Sequence, residues 1–310
     1  MREVAGQARN DIMRREIQAL LAEIDTELAG LVRGQSDFEA RAEQVKQRLT
    51  APVFLVGAAN HPDLPVPVVS VVLPTRDRAA SIGDAIESVQ AQSFANWELI
   101  IVDDGSRDRT SDVVAAFLPD RRIRYVVQDA SGHAAARNRA VRLSRGALVA
   151  YIDSDNLWYP HFLDAAVAAL AALPEVDCVY GALVTDAHPQ VPRTILFEAF
   201  DWDRLLRANC IDLNTVVHRR SLTETYGGFD EGLDRLVDWD LLLRMTREKP
   251  AFRLPVLAAH YRVVDDQRVS VTCPFQPNYD AIQRKWSVST EHRVGEAGAG
   301  GPDLDQLAAE

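Results

Sequence analysis

Residues 149–156 read Val149-Ala150-Tyr151-Ile152-Asp153-Ser154-Asp155-Asn156, an apolar run that closes on two carboxylates one residue apart. The pattern predicts a buried strand that delivers acids to its carboxyl end, where open α/β sheets bind their ligands. On an extended chain Asp153 and Asp155 have the same parity and project to one side. Two acids in one pocket repel unless a divalent cation or a hydrogen-bonding ligand neutralises them. The expectation is a metal-bound phosphate ligand. An isolated Asp-x-Asp is also a common polar loop, so the reading depends on its surroundings.

Outward from this stretch the chain alternates. The patterns predict strands over 68–73, 98–102, 123–128 and 147–152, with helices over 81–93, 110–117, 134–144 and 160–173. Such alternation implies a mostly parallel sheet covered on both faces, an α/β fold. After 178–184 the rhythm loosens, and helices are expected at 201–208, 238–248 and 277–285. Toward the other end, Pro52, Pro62, Pro65 and Pro67 mark a linker over 51–67. Residues 1–50 have no proline and set Met13, Ile17, Leu20, Ile24, Leu28 and Leu31 three and four apart, the apolar stripe of a helix. A break at 34–37 precedes a second helix over 38–49. Left in water, each stripe side chain would forgo about 1.5–3 kcal/mol. The stripe is therefore buried against the main domain or against a second copy. The linker favours the copy, a homo-oligomer through residues 1–50. The glycine-rich segment 287–310 has little to bury and reads as a disordered tail. The expected organisation is a helical extension (1–50), a linker (51–67), one main domain (68–286) and the tail.

Composition bounds the function. With 34 basic and 45 acidic residues the formal charge is −11, which argues against nucleic acid as a partner, since phosphate backbones need a basic face. Cys178, Cys210 and Cys273 are odd in number and far apart, which suits ordinary thiols in a reducing compartment better than a disulfide framework or a zinc site. No apolar run is long enough to cross a bilayer, and Met1-Arg2-Glu3-Val4 is no secretory signal. A soluble, cytoplasmic protein is expected, peripheral at the membrane if its substrate is lipid-linked.

Three further segments fall at strand ends and join the Asp-x-Asp element. They are Pro74-Thr75-Arg76-Asp77-Arg78, Val102-Asp103-Asp104-Gly105-Ser106, and the glycine turn Ser131-Gly132-His133 that opens a helix carrying Arg137 and Asn138. Each alone is an ordinary turn. Together they set carboxylates, a guanidinium and a helix start around one crevice, which suits a nucleoside diphosphate with its cation.

At this point the chain resembles a known family. Residues 68–173 are similar to the nucleotide-sugar half of the family 2 glycosyltransferases, which have the GT-A fold. The likeness runs from Val69-Ser70-Val71-Val72-Leu73-Pro74-Thr75 through Gln92-Ser93-Phe94, the segment 97–106 and Ala136-Arg137-Asn138 to the Asp-x-Asp. It resumes at Tyr226-Gly227-Gly228-Phe229-Asp230-Glu231 and Val237-Asp238-Trp239-Asp240-Leu241. The resemblance implies an inverting enzyme that moves a sugar from a nucleotide-diphosphate donor, UDP-linked by preference, to a hydroxyl of a glycan or lipid-linked acceptor, with Mg²⁺ or Mn²⁺ as cofactor. It implies that Pro74, Thr75, Asp77, Asp103 and Asp104 build the nucleoside pocket, that Arg137 contacts the nucleotide at base or diphosphate, and that Asp153 lies near the ribose or just behind the metal's own ligands. Asp155 becomes the metal ligand and Asp238 the catalytic base. Asp240 competes with Asp238, and about 200° of helix separates the two, so only one can face the cleft. Arg262 is a candidate for the donor diphosphate, and Trp158 with Tyr159 for the acceptor's edge.

The chain also departs from the family pattern. Arg76 stands where relatives often have an aromatic ring, Asp77 where they have asparagine, Asn156 where a third acid is common, and Val237 where a glutamate usually precedes the base. Two other classes compete. A haloacid-dehalogenase-type phosphatase would carry its Asp-x-Asp near the start of its domain, with Thr or Val where Leu157 stands. A non-catalytic nucleotide-sugar binder or scaffold would retain the pocket without turnover.

Overall fold

The computed structural model describes residues 66–186, 194–262 and 273–287. The helices and oligomerisation seam expected in residues 1–50, the linker up to residue 65 and the tail beyond residue 287 lie outside them. Four strands, β1 (Val69–Thr75), β2 (Trp97–Asp103), β3 (Ile123–Val127) and β4 (Leu148–Tyr151), alternate with helices α1 (Ile82–Gln90), α2 (Thr110–Ala115) and α3 (His133–Leu143). The strands lie in the order β3-β2-β1-β4, all parallel. Every residue of β1 and β2 is buried, as both faces of a covered sheet require. In α1 the residues Ile82, Ala85, Ile86 and Val89 fall at helical spacing and are the ones buried.

This order leaves β1 flanked by β2 on one side and β4 on the other. The chain leaves β1 toward one edge and returns to its opposite side at β4. Loops diverge at such a switch and open a crevice at the carboxyl ends of the strands. The four segments singled out from the sequence all lie at or beside those ends.

The chain continues through β5 (Leu157–Trp158), α4 (Phe162–Ala172), β6 (Cys178–Thr185), β7 (Thr194–Leu196), α5 (Trp202–Arg207), a 3₁₀ turn (Leu213–Thr215), β8 (Val216–Arg219), α6 (Ser221–Tyr226), α7 (Val237–Thr246), β9 (Phe252–Tyr261) and α8 (Phe275–Ser287). The sheet runs on from β4 as β8-β6-β9-β5, with β7 beside β6. Here β8 is antiparallel to both neighbours, β5 and β7 are antiparallel to theirs, and only β6 and β9 run parallel. Because β6 and β9 share the direction of β4, six of the nine strands run one way, as the mostly parallel expectation has it, and only β5, β7 and β8 run against them. After β6 the chain turns back along it as β7, passes through α5 and the 3₁₀ turn, and enters β8, which runs against both β4 and β6. That reversal places the 3₁₀ turn directly beside the end of β4.

Candidate active site

The acids after β2 are held by the loops they organise. Asp103 pairs in register with Thr75 and is buried. One of its oxygens accepts from the Ser106 amide (2.7 Å) and the other from the Tyr125 hydroxyl. Asp104 donates its amide to the Thr75 carbonyl (2.9 Å). Its carboxylate accepts from Gln128 Nε2 (2.7 Å), the Ser131 amide (2.8 Å) and the Gly132 amide (2.9 Å), and Arg76 Nη1 approaches to 3.9 Å. Gly132 takes φ +95°, a backbone that side chains rarely adopt, and this aims the two amides at Asp104. Asp77 also has positive φ (52°), which acidic residues tolerate better than most. Its amide donates to Ser106 Oγ (2.9 Å) and its Oδ1 accepts from the Arg107 amide (2.6 Å), so the loops after β1 and β2 are tied together. Between them the buried Thr75 Oγ1 has no partner among the described residues.

The Asp-x-Asp element departs from the strand picture. β4 stops at Tyr151 and Ser154–Asp155 form a turn, so the shared parity of two residues on one strand does not apply. Instead the two acids meet different partners. Asp153 Oδ1 accepts from Arg137 Nη2 (2.6 Å) and its Oδ2 from Asn214 Nδ2 (3.0 Å). Burial opposes ionisation of Asp153, but Arg137 and Asn214 outweigh it and hold the carboxyl below its ordinary value. Asp155 faces Arg78, with Nε 3.7 Å from its Oδ2, and its main-chain oxygen accepts from Arg262 Nε (2.7 Å). Arg262 also donates its amide to Asn156 Oδ1 (3.1 Å) and Nη1 to Asp84 (2.6 Å). Three buried donors here have no acceptor among the described residues: Arg137 Nε, Asn156 Nδ2 and Arg262 Nη2. Buried donors without acceptors are costly.

Across the crevice, α7 begins after Leu236, itself in the left-handed region (φ 62°). Its two acids face different surroundings. Asp240 is 0% exposed and forms ion pairs with Arg244 (2.8 Å) and Lys285 (2.7 Å). Asp238 accepts from Asn209 Nδ2 (2.9 Å). Burial and the charge of Asp153 raise its proton affinity, against the pull of Asn209 and Arg137. A third acid, Asp212, stands at the start of the 3₁₀ turn. Burial first, then the charges of Asp153 and Asp238, push it up to about 7, although Asn214 donates to it twice. His133 is pushed down to about 4 by burial and by Arg137, so it is neutral near pH 7.

Two contacts fix α7 relative to α3. Arg244 donates to the carbonyls of Tyr226 (2.6 Å) and Gly228 (2.7 Å). Asn138, next to Arg137, exchanges hydrogen bonds with the Phe229 backbone (2.9 and 2.7 Å). A Cβ on Gly228 would come within 2.3 Å of Asn138 Oδ1, so the turn admits only glycine without rearrangement.

Of the residues expected from the sequence, Thr75, Asp103, Asp104, Arg137, Asp153, Asp155, Asp238 and Arg262 lie on the elements that border the crevice. Trp158 does not border an open edge: it is 4% exposed, packs edge-on against Phe162 and donates Nε1 to the Asn214 carbonyl (2.7 Å). His218 is a buried partner of Tyr151 (2.8 Å) and His260 of Asp186 (2.6 Å). The sequence reading missed Arg78, Asn209, Asp212 and Asn214. The polar run Asn209-Cys210-Ile211-Asp212-Leu213-Asn214 ahead of Val216-Val217 was a visible signal, since amides and acids directly before a strand mark a loop at a sheet end.

Residues 70–222 match the sequence model of the family described as Glycosyl transferase family 2. A PGL/p-HBAD biosynthesis glycosyltransferase of Mycobacterium tuberculosis is 30% identical over 201 residues, covering 63% of this chain and 73% of that protein. The chain therefore belongs to the family 2 glycosyltransferases. Two other curated relatives are much longer, and the chain spans only 20% and 33% of their length. Among solved structures, S. aureus TarS in complex with UDP-GlcNAc superposes with a TM-score of 0.62 at 18% identity, covering 74% of this chain and 68% of that one. The mannosyltransferase PcManGT of Pyrobaculum calidifontis, in complex with GDP-Man and Mn²⁺, gives 0.53 at 21%, covering 84% and 74%. The architecture is the GT-A fold.

Among the described residues no helix is long and apolar enough to cross a membrane, and no group of three His, Cys, Asp or Glu could hold a metal ion.

Proposed function

We propose that this protein is an inverting, metal-assisted glycosyltransferase that moves a sugar from a nucleotide-diphosphate donor, UDP-linked by preference, to a hydroxyl of a glycan or lipid-linked acceptor. The observation that carries the reading is the set of buried donors without acceptors, Arg137 Nε, Asn156 Nδ2 and Arg262 Nη2, gathered around the Asp-x-Asp turn. A diphosphate has the charge and the oxygens to satisfy them. The nucleoside then falls toward the loops after β1 and β2, where Thr75, Asp77, Asp103 and Asp104 shape the pocket.

The donor set also suits a divalent cation. Mg²⁺-like ions are commonly held by one or two carboxylates together with substrate phosphates. Asp153 is committed to Arg137 and Asn214, which leaves Asp155 as the carboxylate for such a site. A cation there would offset the charge that develops on the leaving diphosphate.

Asp238 is the proposed base. Its raised proton affinity suits removal of a proton from an acceptor hydroxyl, a step typically worth ~10²–10⁴ in rate. Asp240 is unsuited to that role because both its ion pairs are internal. Asn209 holds Asp238 in place, and the neutral His133 adds no competing positive charge.

A donor screen tests the reading. UDP- and GDP-sugars are supplied with Mg²⁺ or Mn²⁺ and candidate acceptors, and released nucleoside diphosphate is measured. Release that needs both metal and acceptor is expected, with inverted configuration at the anomeric carbon of the product. A protein that binds sugar nucleotides but releases nothing from any of them would be a binder, not an enzyme.

A further inference from the structure

We propose that Asn214 is the positioning residue of the donor site, the side chain that sets the orientation of Asp153 and, through it, of Arg137. The inference rests on the donor-site reading given above. Its geometric basis is the ladder between β4 and β8. Leu148, Val149 and Ala150 pair with Arg219, His218 and Val217. Continued along the same register, that ladder sets Asp153 opposite Asn214. Regular pairing has ended by then, and the Asn214 side chain takes over the backbone's part. Its Oδ1 accepts from the Asp153 amide (2.7 Å) and its Nδ2 donates to Asp153 Oδ2 (3.0 Å). One amide thus grips both the backbone and the carboxylate of Asp153. The other oxygen, Oδ1, is left to Arg137 Nη2 at 2.6 Å.

Asn214 is in turn held by three hydrogen bonds to two residues and is 2% exposed. Its amide and its Nδ2 both donate to Asp212 Oδ1 (2.8 Å each), and its carbonyl accepts from Trp158 Nε1 (2.7 Å). These contacts assign the amide's orientation, with Nδ2 toward the two carboxylates and Oδ1 toward a backbone N–H. An aspartate at 214 would keep the acceptor but lose the donor, and would face Asp153 and Asp212 with a third carboxylate. A serine could make only one of the two contacts. Asn214 touches no reacting atom in this arrangement. It fixes which oxygen of Asp153 Arg137 meets, and hence where the remaining guanidinium N–H groups point.

The test is calorimetric titration of UDP, and of GDP in parallel, with Mg²⁺ into the full chain. Wild type is compared with Asp153→Asn, Asn214→Asp, Asn214→Ser and the double variant Asp153→Asn/Asn214→Asp. Each single substitution is expected to weaken nucleotide binding tenfold or more, and the double variant to be no weaker than the worse single one, because neighbours in one network do not add. The serine variant carries the decision if the aspartate variant does not fold. Asn214 variants that are folded and bind within twofold of wild type, while Asp153→Asn is impaired, would overturn the positioning role. So would effects that multiply in the double variant. If Asp153→Asn binds as wild type does, or wild type takes neither nucleotide, the donor-site reading itself fails.

Discussion

At the scale of single residues, two acids of α7 separated by one position are predicted to fail differently. Asp238→Asn keeps size and the bond to Asn209 but cannot take a proton. Transfer should fall by ~10²–10⁴ while nucleoside diphosphate binding stays within about threefold of wild type. Asp240→Asn removes a buried carboxylate from Arg244 and from the part-exposed Lys285, which keep the Tyr226 and Gly228 carbonyls and Asp230 as partners, so the loss should be about 1.5–3 kcal/mol, that of a hydrogen bond to a charged group. The molecules that remain folded should still turn over. A folded Asp240→Asn protein without activity, beside an active Asp238→Asn, would move the base by two positions. Asp212 carries a pH signature instead. Its folded value of about 7 lies above the ordinary 3.8, so between about pH 4 and pH 7 the fold retains a proton that the unfolded chain gives up. Stability is then lost as pH rises through that window. Asp212→Asn abolishes the effect, and its thermal midpoint should exceed wild type at pH 8 and match it at pH 4. Equal midpoints at both pH values would show that the carboxyl is not strained by its surroundings.

Elements explain what could be read in advance and what could not. β1 to β4 and their helices were legible because each strand is an apolar run and each helix repeats at three and four residues, as in Ile82, Ala85, Ile86 and Val89. Asp103, Asp104, Arg137 and Asp153 followed from them, since strand ends in a parallel sheet share one edge. β8 was illegible: Val216-Val217-His218-Arg219 is too short to show a period, and its place between β4 and β6 depends on long-range pairing alone. β9 was hidden by Arg253 and Pro255 within its length. Asn214 and Asp212 were lost with β8, because nothing local says that this strand's start lies against the end of β4. The Gly227-Gly228 turn was recognised only through family resemblance, yet its reason is steric. Gly228→Ala should cost about 1–3 kcal/mol, as overpacking of a closed site does. Adding Asn138→Ala should cost little more, because the first change already breaks the Asn138–Phe229 exchange. Chemical denaturation of the single and double variants reads this directly, and fully additive losses would place the clash elsewhere.

Across the whole molecule the sheet divides the work. The parallel half, β3-β2-β1-β4, ends in the loops proposed for the nucleotide. The mixed half, entered through β8, supplies Asp212 and Asn214, while α7 brings Asp238 from the other wall. Asp155 is touched from both halves, with Arg78, after β1, 3.7 Å from its carboxylate and Arg262, after β9, on its main-chain oxygen. One carboxylate beside a guanidinium is a poor cation site by itself, but the same carboxylate with two phosphate oxygens is a good one. Metal and nucleotide should therefore bind together, each improving the other by the same factor, as linkage requires. Mn²⁺ binding followed by electron paramagnetic resonance should be weak in the protein alone and at least tenfold tighter with UDP or GDP, whichever the protein takes. Nucleotide affinity should rise by the same factor when Mn²⁺ is added. Asp155→Ala should remove the mutual gain and leave the weak metal-independent binding of the nucleotide, and EDTA should stop transfer in the wild type. Tight Mn²⁺ binding without nucleotide, or full transfer in EDTA, would take the cation out of this mechanism.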